Sequence, residues 1–330
     1  MIDRSLRIYL ATALAIAIAW PALAQDAPRI RKLRIGIPTW SHTFLPLIAA
    51  KKQGFYARQG LDVELIIVQA TIAPQALITG EIDFDTNTPR DLTLALRGGP
   101  LRLVMALNKA PIHALIVKPD IQTANDLRGK TLGSDFPRGF IERLLIRGMQ
   151  KYGLVPNRDV TLLSLGGGGS DIRVTSLLAG KVDGTLISPP HSTTAIYKHG
   201  FRTFFYVREF SGLFSGSLAA TTEKINRDPE GIVRLLKGTI EGIRFLRSSK
   251  SEFLRLLAQE ARVTDSQMAE QIYKDFLDVV PETGIAPDSA TQETINFAKE
   301  DLGITKEIPI SELVNWSFAQ RALKELQQAK

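Results

Sequence analysis

The chain has no cysteine in its 330 residues. That absence excludes thiolate catalysis, cysteine-ligated metal, structural disulfides and a lipid anchor on an amino-terminal cysteine. Histidine is scarce as well. His42, His113, His191 and His199 are the four present, and they show no paired spacing of a helix or finger metal site. No metal and no other cofactor is expected. HExxH and GxSxG are both missing, so hydrolase chemistry lacks its metal and its nucleophile, and no catalytic residue is expected. The run "GGGGS" (Gly166 to Ser170) fails as a nucleotide loop. A Walker loop needs Lys followed by Ser or Thr, where Ser170 and Asp171 stand, and the dinucleotide fingerprint lacks its third glycine. Lysine and arginine, 41 against 34 acidic residues, are spread along the chain without a basic tract, so nucleic acid is not an expected partner. The formal charge of +7 either helps to draw in small anions or only keeps the surface soluble.

Long apolar runs are also lacking, apart from one at the start. Asp3, Arg4 and Arg7 precede an apolar stretch from Ile8 to Ala19, and Ala22-Leu23-Ala24 supplies small residues before a polar segment. This three-part pattern is that of a secretory signal peptide, shorter than the roughly 20 apolar residues of a membrane span. Cleavage after Ala24 and a periplasmic location are the expectation. Residues 25–32 then read as a linker.

Beyond the linker, strand and helix signals alternate. "LRIGI" and "DVELIIV" read as strands around a helix from Phe44 to Gln53, and "IDFD" as a third strand. "TPRDLTLALRGG" reads as a helix with Thr88 as cap, Pro89 in the first position and Gly98 as stop. After "LRLVMAL" and "HALIVK" the alternation restarts at Lys130, and from Gly216 the texture turns helical. Strand, helix, strand, repeated, predicts an α/β protein with parallel sheets flanked by helices. Two lobes are expected: residues 33–117 with 216–330, and residues 118–215, each a mainly parallel sheet. The hinge is expected at two crossings, Val117 to Asp120 and Gly216 to Thr222. Ligands of open α/β sheets bind at the carboxyl ends of the strands, here facing one another across a cleft.

Several residues at those ends carry recognition chemistry. Trp40 sits in a polar turn, and a large ring in a cleft contacts an apolar ligand body. Thr88 opens a helix whose first amides and dipole suit an anion, and Arg90 could add a planar fork; it could equally be a solvated charge. His42 and His191 come from opposite lobes and could both donate to one ligand, or be surface residues. Phe136 and Arg138 in "SDFPRGF" are open in the same way, to core packing and to solvent. Asp83 is placed at a strand start and Asp85 at the cleft edge.

The segments "PLIAAKKQGFYARQGLDVELI", "ALITGEIDFDTNTPRDLTLALRGGPLRLV", "TANDLRGKTLGSD" and "RVTSLLAGKVDGTLISPP" resemble the periplasmic solute-binding proteins of ABC importers. The resemblance is to the NMT1-like branch of sulfonate, taurine, nitrate and thiamine-pyrimidine binders. It implies a type II binding-protein fold and a monomer that captures a small-molecule ligand and delivers it to a permease in the inner membrane. It also implies ligand positions at Thr39, Trp40, Ser41 and His42, at Thr86, Asn87, Thr88 and Arg90, at Ser134, Phe136, Arg138 and Gly139, and at Ser188 and His191. Trp40, Phe136, His42 and His191 suit a ligand body with oxygens at its end and set a carboxylate first; the bulk of Phe136 and the charge of Arg138, where sulfonate binders usually have a smaller, hydroxyl-rich turn, put sulfonate or nitrate second. The alternative is an enzyme like the thiamine-pyrimidine synthases of the same fold, which the missing cysteine and the leader disfavour.

Overall fold

The computed structural model describes residues 31–38, 41–167 and 169–328. The expected leader, most of the linker and the candidate residues Thr39 and Trp40 lie outside the described residues.

Strand β1 (Arg31–Ile37) buries Leu33, Ile35 and Ile37 on its inner side and pairs in parallel with β2 (Leu61–Ile67). Between them lie a 3-10 turn at His42–Phe44 and helices α1 (Leu45–Lys52) and α2 (Phe55–Arg58). Helix α3 (Ala73–Thr79) leads to the short β3 (Phe84–Asp85), and α4 (Thr88–Leu96) to β4 (Leu101–Ala106). The chain then enters a second sheet through β5 (Ala114–Val117) and β6 (Thr131–Ser134). Helix α5 (Phe140–Lys151), β7 (Thr161–Ser164), α6 (Ser170–Leu178), β8 (Gly184–Ile187), α7 (His191–His199) and β9 (Arg202–Tyr206) complete it.

Strand β10 (Ser217–Thr221) returns to the first sheet, followed by α8 (Thr222–Arg227) and α9 (Pro229–Ser248). The Asp228 carboxylate accepts the Gly231 amide at 3.1 Å and so caps α9, with Pro229 in the first turn, where no amide is needed. Helices α10 (Lys250–Ala261), α11 (Ser266–Val279) and α12 (Asp288–Leu302) come next, then α13 (Ile310–Leu313) and α14 (Ser317–Gln328). The last two are separate helices. They are split because Val314 makes a parallel bridge to Leu103, and the Asn315 amide donates to the Leu103 carbonyl at 2.7 Å. The break covers the edge of β4, which would otherwise stand unpaired.

The two sheets repeat one topology. Their strand orders are β2-β1-β3-β10-β4 and β7-β6-β8-β5-β9. In each, four strands run one way and one inserted strand, β10 or β5, is antiparallel to both neighbours. The inserted strands are those that arrive from the other lobe, so they enter from the opposite end. Strand β5 pairs with β8 and β9. The first crossing therefore precedes Ala114 and does not lie at Val117 to Asp120, and residues 114–117 belong with the second sheet. The two crossings lie side by side. The Leu107 amide donates to the Gly216 carbonyl at 2.8 Å, the Ser215 amide to Asn108 at 3.1 Å, and the Val207 amide to His113 at 3.0 Å. The second crossing accordingly ends at Gly216, just before β10 begins at Ser217.

The helical tail packs mainly on the first lobe. Ile232, Leu235, Leu236 and Ile243 of α9 are sealed against Leu33, Ile35 and Leu47, and burial of each such side chain contributes about 1.5–3 kcal/mol. Gly242 allows the close approach, since a Cβ there would lie 2.3 Å from the Pro46 carbonyl oxygen of α1. Helix α12 belongs to both lobes. Its Ala290, Ile295 and Ala298 share a core with Leu92 of α4, while Phe297 enters the second-lobe core with Ile141 and Leu144 of α5. Among the described residues no helix is long and apolar enough to cross a membrane.

Candidate binding site

A cavity of about 580 Å³ opens between the lobes. One wall is α4 with the turn before it, the facing wall is the Asp135–Phe140 turn with Gly167 and Arg173, and the third is α12 with Phe214.

On the first wall, Asn87 takes the capping position in place of Thr88, and its amide group donates to the Ala70 carbonyl at 3.1 Å. Thr88 is the first helical residue, and its hydroxyl pairs with the Ser217 hydroxyl at 2.8 Å. The amides of Arg90 and Asp91 both donate to the Asn87 carbonyl at 3.0 Å, and Pro89 has none. The Thr88 N–H is what the first turn still offers to a ligand, among the described residues. Behind it lies a buried acid pair. Asp85 and Asp91 are both fully buried, Asp85 accepts the Thr86 amide at 2.7 Å, and the two carboxyl groups are near enough to influence each other's charge. Burial raises both pKa values, Asp85 to about 6 and Asp91 well above the ordinary carboxylate range. The pair therefore holds a proton at pH values where free carboxyl groups are ionised. Asp85 is thus behind the cleft wall, not at its edge.

Arg90 and Arg97 both line the cavity. They stand seven residues apart on one face of the helix, roughly 10 Å along its axis. Neither guanidinium has an ion pair or hydrogen bond among the described residues.

On the second wall the Asp135 carboxylate accepts the amides of Ile141 and Glu142, each at 3.1 Å, and so serves as the cap of α5. Phe136 is 37% exposed and its ring lies over Gly167. A Cβ at Gly167 would stand 2.3 Å from that ring, which accounts for one of the glycines in the run. Arg138 has a left-handed backbone (φ 62), held by donation of its amide to Glu142, and its guanidinium donates to the Asp301 carbonyl at 3.0 Å. Gly139 is the residue before α5 and lines the cavity.

Arg173, on the inner face of α6, is 5% exposed yet reaches the cavity wall. Its Nε donates to the Leu186 carbonyl at 2.8 Å and its Nη2 lies 3.4 Å from the Ser170 hydroxyl. Burial draws its pKa down to about 10, with Asp135 and Asp171 opposing, so the group stays cationic at neutral pH.

The third wall ties the lobes together. The Phe297 ring lies under the guanidinium of Arg143 at 3.6 Å and that of Arg147 at 4.4 Å, and meets Phe140 edge-on at 5.9 Å. Arg143 donates to the Phe297 carbonyl and pairs with Glu300 at 3.4 Å, and Arg147 pairs with Glu293 at 2.8 Å.

Six of the fourteen candidate residues, Asn87, Thr88, Arg90, Phe136, Arg138 and Gly139, are brought to this cavity. Others serve the scaffold behind it. The Ser41 hydroxyl accepts from Thr43, and Thr86 donates to the Gly36 carbonyl at 2.9 Å. Ser134 is fully buried at 3.4 Å from the Leu163 carbonyl, and Ser188 meets Ser170 at 3.0 Å. His42 is 1% exposed, and neither ring nitrogen makes a hydrogen bond of good geometry. Burial lowers its pKa to about 4, opposed in part by the Pro189 carbonyl of the other lobe, so the ring is neutral. His191 begins α7, partly buried, with its pKa held below the ordinary value by burial. Arg97, Arg143, Arg173, Phe297 and Asp301 were not anticipated. A sign of Arg173 was present, because Ser170, Arg173, Val174 and Leu177 follow a buried helical stripe in which arginine is out of place. The contribution of α12 had no local sign.

Comparison with known proteins agrees with this architecture. Residues 41–252 match the family described as NMT1/THI5 like. A protein of Bacillus subtilis (strain 168) named for aliphatic-sulfonate binding is 24% identical over 314 residues, covering 91% of this chain and 90% of its own. The alkanesulfonate-binding protein SsuA from Xanthomonas axonopodis pv. citri, solved bound to MOPS, superposes with a TM-score of 0.67 at 20% identity, over 86% of this chain and 98% of that one. The periplasmic nitrate-binding protein NrtA from Synechocystis PCC 6803 gives 0.66 at 14% identity, over 91% and 90%. At these identities the two structures show a shared fold.

Proposed function

The chain belongs to the NMT1/THI5-like family, and from that premise we propose that it is the solute-binding component of an ABC importer. It captures a small organic anion between its lobes in the periplasm and presents the closed form, as a monomer, to a membrane permease. The observation that carries this reading is the cavity of about 580 Å³, walled by both lobes, with the buried Arg173 on its face. A buried guanidinium is costly for a wall to keep, and a bound oxyanion offsets that cost. Phe136, Phe140 and Phe297 supply apolar contact for the ligand body. The names of the relatives support a sulfonate ahead of the carboxylate expected from the sequence, and Arg173 suits either head group.

Thermal-shift screening of the exported form against organic sulfonates, organic carboxylates and nitrate tests the reading, since a ligand bound only by the folded state raises the melting temperature. An organic anion is expected to give the largest rise. A shift confined to neutral or cationic solutes would reject the proposal.

A further inference from the structure

The charges that face the cavity are uneven in a way one acidic group does not answer. Five arginines line it, with Asp135 and Asp301 as the acidic residues. Asp135 is committed to the first amides of α5, and Asp301 lies beside Arg138. Arg143 is engaged by Glu300 and the Phe297 carbonyl. The other three cations stand in two places. Arg173 is fixed on the second lobe, with the Leu186 carbonyl and the Ser170 hydroxyl among its partners. Arg90 and Arg97 stand on the first lobe, two helical turns apart, with no acidic partner among the described residues. Phe136, partly exposed, and Phe297 line the same cavity.

We infer that the solute is an organic dianion, with one acidic group at Arg173, a second at the Arg90 and Arg97 face of α4, and an apolar body between them. This rests on the cavity being the solute site, as proposed above. A monoanion held at Arg173 leaves the two like charges of α4 unanswered as the lobes close, whereas a second acidic group answers both. An inorganic oxyanion fills little of about 580 Å³ and leaves the phenylalanine surfaces wet. A dianion also gives each lobe its own contact, so that binding the second group and closing the cleft are one event.

Calorimetric titration at low salt with matched probes tests this: 1,4-benzenedisulfonate against benzenesulfonate, and 1,4-benzenedicarboxylate against benzoate, with benzamide as the neutral member. At least one dianion is expected to bind ten times or more tighter than its monoanion, about 1.4 kcal/mol. The double variant Arg90→Gln, Arg97→Gln is expected to bring that ratio towards one. Both side chains are exposed, so its ligand-free melting temperature should match the wild type and show that the fold is kept. Monoanions binding as tightly as dianions, an undiminished ratio in the double variant, or no binding by any of the four anions would overturn the inference. In the first two cases the transport reading stands; benzamide binding where all four anions fail would remove both.

Discussion

Arg97 and Arg173 carry the same guanidinium on facing walls of one cavity, in opposite conditions. Arg97 is exposed at the end of α4 and makes no side-chain bond among the described residues, whereas Arg173 is 5% exposed and held by Leu186 and Ser170. The sheets behind them have the same strand order, but α4 follows β3, third in its order, whereas α6 follows β7, first in its own, and the difference begins there. It comes from the helix beyond each strand. Helix α6 turns the stripe Ser170, Arg173, Val174 and Leu177 inward, and α4 turns Asp91 and Leu92 inward and leaves its arginines outside. A buried charge is already oriented and weakly screened, while an exposed one attracts from further away and fades with salt. The second lobe is therefore suited to fix an acidic group and the first to recruit one.

The comparison breaks most severely if the third wall goes. Phe297→Ala empties a site between two arginines in the second-lobe core and is expected to cost about 3–5 kcal/mol of stability, measured by urea unfolding. The Arg143 and Arg147 contacts would be lost with it. Next is Arg173→Met, which removes the fixed charge while keeping much of the side-chain volume. Affinity for an organic anion should fall by about 2–5 kcal/mol in calorimetry, with a smaller change in salt dependence than in the Arg90→Gln, Arg97→Gln variant. The smallest effect sharpens the first wall. Burial raises the folded-state pKa of Asp85 from 3.8 to about 6, and that of Asp91 further. The folded state thus binds a proton more tightly than the unfolded chain, and the stability this gives is full below 3.8 and is lost as pH rises through about 6 and above. Asp91→Asn places a neutral side chain beside Asp85 at every pH. Its melting temperature should exceed the wild type at pH 8, by roughly 1–3 kcal/mol of stability, and converge with it near pH 4. His42 works in the other direction, since its pKa falls from 6.5 to about 4 and its contribution is lost as pH drops through that window. It is common to both proteins and cancels in the difference.

Much of the fold was legible because its signals are local. The strand "LRIGI", the cap at Asp228 with Pro229, and the alternation over both lobes are each set within a few residues. Which sheet a strand joins is not local. "HALIVK" reads equally well as the last strand of one lobe or the first of the next, and pairing with β8 and β9, some 70 to 90 residues further along, decides it. The site divides the same way. Asn87, Arg90, Phe136 and Arg138 come directly after strands and could be placed at strand ends. Phe297 and Asp301 arrive on a helix from the far end of the chain, and their place depends on how the tail packs. The Asp85 and Asp91 pair was hidden because a strand-to-helix turn folds the two carboxyl groups together only in three dimensions.

The central claim is that an organic anion lies between the two lobes against Arg173. Crystals grown with 4-bromobenzenesulfonate would test it directly through the anomalous signal of bromine. A bromine peak is expected inside the cavity, beside Phe136 and α12, with the sulfonate at Arg173. A fully occupied peak outside the cavity, with none within it, would contradict the claim.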